Sequence, residues 1–261
     1  MIHPSAEVSK NAEIHETSNI GPFCIIGNNV KIGKNNNLIS HVSIVGNTQI
    51  ENNNTFYPFC SIGSDPQDLK YNNEKSFLKI GSNNKFRENV TVNPGTAGGG
   101  LNTIIESDCL FMVGSHIAHD CVIKSNVILA NNATLAGHVQ IDNNAILGGN
   151  SAIHQFVRIG KYAMIGGMSG VEKDIIPYGL YTGIRENLKG LNLIGLKRKG
   201  LTSNVINEIK NHINLIFNKN DTIENNIKNN FIEKTEIIEI KEVIEFLNSN
   251  SKRGITTFEN D

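Results

Sequence analysis

Large aliphatic side chains recur along this chain with a period of six. From Ile2 the steps land on Val8, Ile14, Ile20, Ile26, Ile32, Leu38, Ile44, Ile50, Phe56 and Ile62, and then on Ile80, Phe86 and Val92. The frame restarts at Ile105 and continues through Phe111, Ile117, Ile123, Leu129, Leu135, Ile141, Leu147, Ile153, Ile159 and Ile165 to Val171. Four residues past each stop a small or β-branched residue dominates, as at Ala12, Val30, Val42, Val90, Ala133, Val139, Ala145 and Val157. Such a period suits neither an α-helix nor one long alternating strand. It suits short strands joined by sharp corners, three hexads closing a triangular coil, with successive rungs about 4.8 Å apart. Asn28-Asn29, Asn35 to Asn37, Asn52 to Asn54, Asn131-Asn132 and Asn143-Asn144 fall at the corners, where asparagine tolerates the left-handed backbone region. The pattern predicts a parallel β-helix over residues 1–185. Spacing alone does not set its hand.

Two stretches lose the frame, at about 65–79 and 95–104. Insertions in a repeat scaffold project as loops from one face, so both are candidate substrate loops. After Val171 the period changes to a helical one. Ile206, Ile209, Ile213, Ile216 and Phe217 share a stripe with Ser203 placed to cap it. Asp221 and Glu224 read as a capping box ahead of Ile223, Ile227 and Phe231, and a last stripe runs through Ile237, Ile240, Ile244 and Leu247. The spacing predicts a helical domain over 186–261 that covers the open edge of the last coil.

Composition narrows the function classes. Lys and Arg total 24 against 25 Asp and Glu, a net charge of −1, which argues against a general nucleic-acid binder. No apolar run approaches the roughly 20 residues of a membrane helix, and Met1 to Ser5 do not read as a secretory leader. With four cysteines, the expected compartment is the reducing cytoplasm. Cys24, Cys60, Cys109 and Cys121 all occupy the small interior slot and read as packing residues. There is no CxxC pair, and no cofactor or metal is expected.

Chemistry concentrates where His116, His119, His138 and His154 cluster. One coil beyond His119 lies Gly137, and one further lies Gln155, so His119 and Gly137 stack about 4.8 Å apart. A histidine base beside a glycine N–H is what acyl transfer requires: one takes the hydroxyl proton, the other holds the oxyanion. Other readings of the same residues remain open. The histidines are ordinary surface groups, or they hold zinc between subunits, although His116 and His119 lie on opposite faces unless a bend intervenes.

The blocks Ser115-His116-Ile117-Ala118-His119-Asp120-Cys121, Leu129 to His138, Ala152 to Phe156 and Gly195 to Gly200, with the Gln67-Asp68-Leu69-Lys70 loop, resemble the bacterial UDP-N-acetylglucosamine O-acyltransferases over essentially the whole chain. The resemblance implies a left-handed coil and a homotrimer with clefts between subunits. It also implies transfer from (3R)-3-hydroxyacyl-acyl carrier protein to the 3-hydroxyl of UDP-N-acetylglucosamine, the first step of lipid A synthesis. His119 matches the general base, Asp120 its orienting partner and Gly137 the oxyanion donor. Gln67, Asp68, Lys70, Asn93, His116, His138, His154 and Gln155 match residues lining the sugar-nucleotide cleft. Asn192, Arg198 and Lys199 match nucleotide-side contacts, and Gly167 with Met168 matches the acyl pocket. On this reading Lys199→Ala chiefly raises a Michaelis constant. Two positions depart from the family pattern: Asn93-Pro94 stands where His-Arg is common, and Ile194 where a Glu is expected. Rival readings are the related N-acyltransferase, which carries an N-terminal uridine-binding domain before its coils, a trimeric zinc lyase of carbonic-anhydrase type, and a non-catalytic scaffold.

Overall fold

In the computed structural model, which describes residues 1–258, the chain winds as a left-handed parallel β-helix followed by a helical tail. Most hexads form a strand of two residues, the first side chain outward and the second, the repeat stop, inward. Stacked rungs build three sheets of nine, eight and ten strands, which form the three faces of the coil. On the first face Val8, Ile26, Ile44, Ile62, Val92, Ile117, Leu135, Ile153 and Val171 pair rung to rung in one inward ladder. Each fully buried stop of this kind stabilises the fold by about 1.5–3 kcal/mol.

The strands beside the two insertions, Asn47–Ile50, Phe77–Ile80 and Asn102–Ile105, are four residues long. Pairing therefore resumes earlier than the lost frame implies, and the loops occupy only the chain between Ile62 and Phe77 and between Val92 and Asn102.

The asparagine clusters divide into two roles. Asn35, Asn53, Asn132 and Asn144 turn corners at φ of 54°, 60°, 58° and 61°. Asn36, Asn54 and Asn84 are buried instead and form a ladder inside one corner. Asn36 Oδ1 accepts from Asn54 N at 2.9 Å, Asn54 Oδ1 from Asn84 N at 2.8 Å, and Asn84 Oδ1 from Cys109 N at 2.9 Å. Each Nδ2 also donates to a backbone carbonyl of a neighbouring rung, so these interior amides leave no donor unpaired. The four cysteines are free and buried, and burial pushes the thiols of Cys60 and Cys121 up to about 12 and that of Cys109 to about 11.

The tail comprises α1 (Leu193–Arg198), α2 (Ser203–Ile216), α3 (Ile223–Asn229) and α4 (Ile238–Asn248). The α2 stripe Ile206, Ile209, Ile213 and Ile216 is buried as its spacing predicts. The caps sit one residue away from those expected: Thr202 rather than Ser203 caps α2, and Thr222 rather than Asp221 caps α3. Asp221 accepts from Thr222 N and Asn225 Nδ2 instead. Phe231 falls beyond the end of α3, at φ 52°. The expected boundary between 185 and 186 falls inside a hairpin, because Leu188–Leu191 pairs antiparallel with Gly179–Tyr181 and extends the third face. Charge and stacking dock α4 on the last coils: Arg158 Nε bonds Asp174 Oδ2 at 2.7 Å, and its guanidinium lies 4.4 Å from the Phe246 ring.

Candidate active site

The site is built at the corner that follows the strand His116–Ile117. Ile117 points inward as a stop, so the chain turning out of that strand carries His119 and Asp120 around the corner between the first and second faces. Asp120 holds φ 59°, a value short polar side chains tolerate. Its N–H donates to Thr103 Oγ1 at 2.8 Å, which fixes the turn. Its carboxylate is enclosed: Oδ1 accepts from Thr96 N at 2.9 Å, and Oδ2 accepts from Thr96 Oγ1 at 2.6 Å.

His119 Nδ1 lies 2.7 Å from Asp120 Oδ2. Burial alone would raise the Asp120 carboxyl, but the bonds from His119 and from the Thr96 hydroxyl and N–H outweigh it and hold the group below the usual carboxylate range. An ionised carboxylate only accepts, so Nδ1 of His119 donates to it, and in the neutral ring the lone pair lies on Nε2. Nε2 faces Asp68 Oδ2 of the first loop across 3.9 Å, too far for a hydrogen bond.

Gly137 lies against this imidazole. A Cβ built on it would fall 2.4 Å from His119 Cε1 and 2.6 Å from Nε2. The rung register is held by His138 N donating to His119 O at 2.9 Å and Phe156 N to Gly137 O at 3.2 Å. The Gly137 N–H donates to no atom among the described residues. His119, Asp120 and the unbonded Gly137 N–H therefore share one corner on adjacent rungs.

His138 continues the wall, edge-on to His119 with ring centroids 5.0 Å apart and stacked on Phe156 at 4.3 Å. Burial, opposed in part by Asp120, lowers the His138 imidazole below its ordinary value. His116 bonds Thr91 Oγ1 at 2.7 Å, and burial first, then the neighbouring His119, lowers it as well. His154 and Gln155 are exposed one rung beyond Gly137. His119, Asp120 and His138 present their ligand atoms within 4.8 Å of one another. That set differs from the His116 and His119 pair weighed from spacing. It fits a metal poorly, because Asp120 already accepts from His119 and twice from Thr96.

Several residues matched by resemblance make contacts within the chain. Asn93 Nδ2 donates to Ser64 O at 3.0 Å and to Asp65 O at 3.1 Å, so it clamps the base of the first loop rather than facing a ligand with its donors. Asn192 is the N-cap of α1, accepting from Gly195 N at 2.9 Å and donating to Tyr162 O at 2.9 Å. Lys199 packs between the coil and α4: Nζ donates to Tyr178 Oη at 2.9 Å and to Glu239 Oε1 at 2.6 Å, over the faces of Tyr162 and Tyr178. Its charge is paired with Glu239 of α4. Lys199→Ala should therefore lower stability by about 1–3 kcal/mol by stranding the buried Glu239, with the Michaelis constants within about twofold of wild type. Thermal melts beside steady-state kinetics check this.

Gln67 and Lys70 are exposed on the first loop. Lys70 N donates to Asp68 Oδ1 at 3.0 Å, an Asx-type turn that sets the Asp68 side chain. Arg198 lines a groove of about 530 Å³ with Ile128, Ile146, Met164 and Ile194 on the third face, opposite the corner that carries His119. Gly167 and Met168 are exposed at the corner between the third and first faces. Sequence reasoning missed Phe156 as a stacking wall, Lys252 of the tail, whose Nζ sits 4.5 Å over Phe156, and Thr96. No signal marks Thr96, since a β-branched residue four past the stop at Val92 is what the repeat ordinarily places there.

Comparison with known proteins adds independent observations. The family described as UDP-N-acetylglucosamine O-acyltransferase, domain 2, matches residues 174–256, and the bacterial transferase hexapeptide family (six repeats) matches residues 102–137. The chain is 47% identical over 254 residues to the acyl-[acyl-carrier-protein]–UDP-N-acetylglucosamine O-acyltransferase of Thermodesulfovibrio yellowstonii, covering 97% of this chain and 98% of that one. It is 38% identical over 256 residues to the protein of the same name from Rhizobium johnstonii, covering 98% and 94%. Among solved structures, the UDP-N-acetylglucosamine acyltransferase of Francisella novicida superposes with a TM-score of 0.94 at 38% identity, covering 100% of this chain and 95% of that one. The Arabidopsis enzyme of that name superposes with a TM-score of 0.85 at 32% identity, covering 98% and 100%.

Proposed function

The chain belongs to the UDP-N-acetylglucosamine O-acyltransferase family, and from that premise we propose how its own residues carry the reaction. It is an enzyme that acylates UDP-N-acetylglucosamine from acyl carrier protein in lipid A synthesis. The acyl group is a (3R)-3-hydroxyacyl chain and the acceptor is the 3-hydroxyl of the sugar. One observation carries the mechanism: His119 holds its proton on Nδ1 against Asp120 and presents a free Nε2 beside the unobstructed Gly137.

Nε2 of His119 takes the proton of the sugar hydroxyl as its oxygen attacks the thioester carbonyl. The carbonyl π electrons move to oxygen, and the Gly137 N–H stabilises the resulting oxyanion. Collapse of the tetrahedral intermediate re-forms the carbonyl and breaks the carbon–sulfur bond. The departing thiolate receives the proton from Nε2, and His119 returns to its starting tautomer. Asp120 keeps its charge throughout and favours the imidazolium while it exists. Asp68, with Gln67 and Lys70 beside it, binds the sugar nucleotide at the mouth, and His116, His138, His154 and Gln155 line the cleft.

The working unit is a homotrimer with each cleft between two chains. Support comes from the coil itself. Arg198 lies on the face opposite the His119 corner, so one chain's Arg198 reaches the site of a neighbour, not its own. Between the His119 corner and Gly167, the first face presents small outward residues, Thr134, Ala136, Ala152 and Gly170, a floor suited to an acyl chain lying between subunits. The reaction takes place in the cytoplasm, in keeping with four reduced thiols. Among the described residues no helix is long and apolar enough to cross a membrane.

Mixed trimers test the shared cleft. Arg198→Ala should raise the Michaelis constant for the sugar nucleotide about 10-fold, the loss of one charge-assisted contact. Co-expressed with His119→Ala, it should recover activity at low sugar nucleotide that neither variant has alone. Mixtures no better than the sum of the two parents would place each site within one chain.

A further inference from the structure

The catalytic dyad does not end at Asp120. Thr96 grips that carboxylate with two donors, its N–H on Oδ1 at 2.9 Å and its hydroxyl on Oδ2 at 2.6 Å, while His119 Nδ1 shares Oδ2 at 2.7 Å. Thr96, His119 and Asp120 are all buried. The Gly-rich second loop, expected to bind substrate, is folded over this carboxylate: a Cβ on Gly99 would fall 2.0 Å from Asp120 Cγ. Ala97, which follows Thr96, donates its N–H to Glu74 Oε1 of the first loop at 2.9 Å. The loop that carries Asp68 is thereby tied to the residue that holds Asp120.

We propose that Thr96 is a positioning residue of the acyl transfer, fixing both oxygens of Asp120 so that Oδ2 meets His119 Nδ1. The inference rests on the general-base reading above. A carboxylate rotates freely about its last torsion, and a single bond to His119 leaves that rotation open. Two donors from one residue, on different oxygens, close it. The hydroxyl proton, used on Oδ2, also leaves Thr96 unable to donate elsewhere, so its role lies in orientation. It does not touch substrate.

Thr96→Val removes the hydroxyl and keeps shape and N–H. It should lower kcat about 10- to 100-fold, the range for loss of an outer orienting partner, and leave both Michaelis constants within about twofold. Thr96→Ser keeps the donor and should hold kcat within about threefold of wild type. Independently of turnover, the downfield Nδ1 proton signal of His119 should persist in Thr96→Ser and broaden or vanish in Thr96→Val. Thr96→Ala takes the place of the valine variant if that one does not fold. In wild type itself, the Thr96 hydroxyl proton should exchange slowly enough to be seen. A valine variant with wild-type kcat and an intact Nδ1 signal overturns the proposal, as does a hydroxyl proton in fast exchange. A wild-type protein with no acyl transfer refutes the general-base reading instead, and the proton signals then still decide whether Thr96 fixes Asp120.

Discussion

Replacing His119 with alanine should lower kcat for acylation of UDP-N-acetylglucosamine by about 10³-fold or more, with Michaelis constants within about threefold of wild type. Among the described residues His119 presents Nε2 beside Gly137, while His138 stacks on Phe156 and His116 bonds Thr91. The fold should survive. Interior packing at this corner comes from Ile117, Cys121 and Ile123, all 0% exposed, and His119 adds nothing to that column. Asp120 keeps its two bonds from Thr96, so the substitution does not strand a buried charge. Steady-state kinetics beside a thermal melt separate this outcome from simple unfolding. A variant that retains turnover would remove His119 from the mechanism.

Gly137→Ala should cost nearly as much, about 10²- to 10³-fold in kcat, through geometry alone. The added methyl would sit 2.4, 2.6 and 3.1 Å from Cε1, Nε2 and Nδ1 of His119. Carbon atoms attract best near about 3.5–4.0 Å and repel steeply inside that range. The ring must therefore leave its place, and the 2.7 Å bond to Asp120 goes with it. Backbone strain contributes little, because Gly137 is not among the residues with positive φ. Gly27→Ala is the control: four rungs before His119, its methyl would meet Val45 Cα at 3.2 Å and nothing closer, so turnover should change far less. Parallel kinetics on the two alanine variants measure the difference. Equal activity in both would mean that the imidazole does not need the space Gly137 leaves.

The coil was legible because one physical demand repeats. Every sixth side chain must fill the interior, so Ile2 to Val171 announce strands, faces and rungs without any tertiary knowledge. The stacking of Gly137 on His119 followed from the same count. Where the frame breaks, the count carries no information. Thr96 lies in such a break, and its contact with Asp120, 24 residues on, depends on the path of a loop that no period describes. The tail has no shared register either. Lys199 next to Arg198 reads as part of a basic run, yet its partner Glu239 is 40 residues away on α4. The asparagines were half legible: corner positions such as Asn53 follow from backbone tolerance, whereas Asn54 beside it is an interior ladder rung, a role that depends on which side of the corner the side chain falls.

At Asn93 the side-chain nitrogen is paired twice, while Oδ1 is buried with no partner among the described residues. A charged side chain there would have to be satisfied beside a buried turn, whereas the amide donates twice to the carbonyls of Ser64 and Asp65 and closes the base of the loop. His119, Asp120 and Gly137 keep their arrangement beside this Asn93.

The central claim is most directly tested by incubating the purified protein with UDP-N-acetylglucosamine and a ladder of 3-hydroxyacyl-acyl carrier proteins and reading the products by mass spectrometry. The account predicts a single acyl group on the 3-oxygen of the sugar, formed with one preferred chain length and lost in His119→Ala. Acylation that persists unchanged without His119, or no acylated sugar with any chain length, would contradict it.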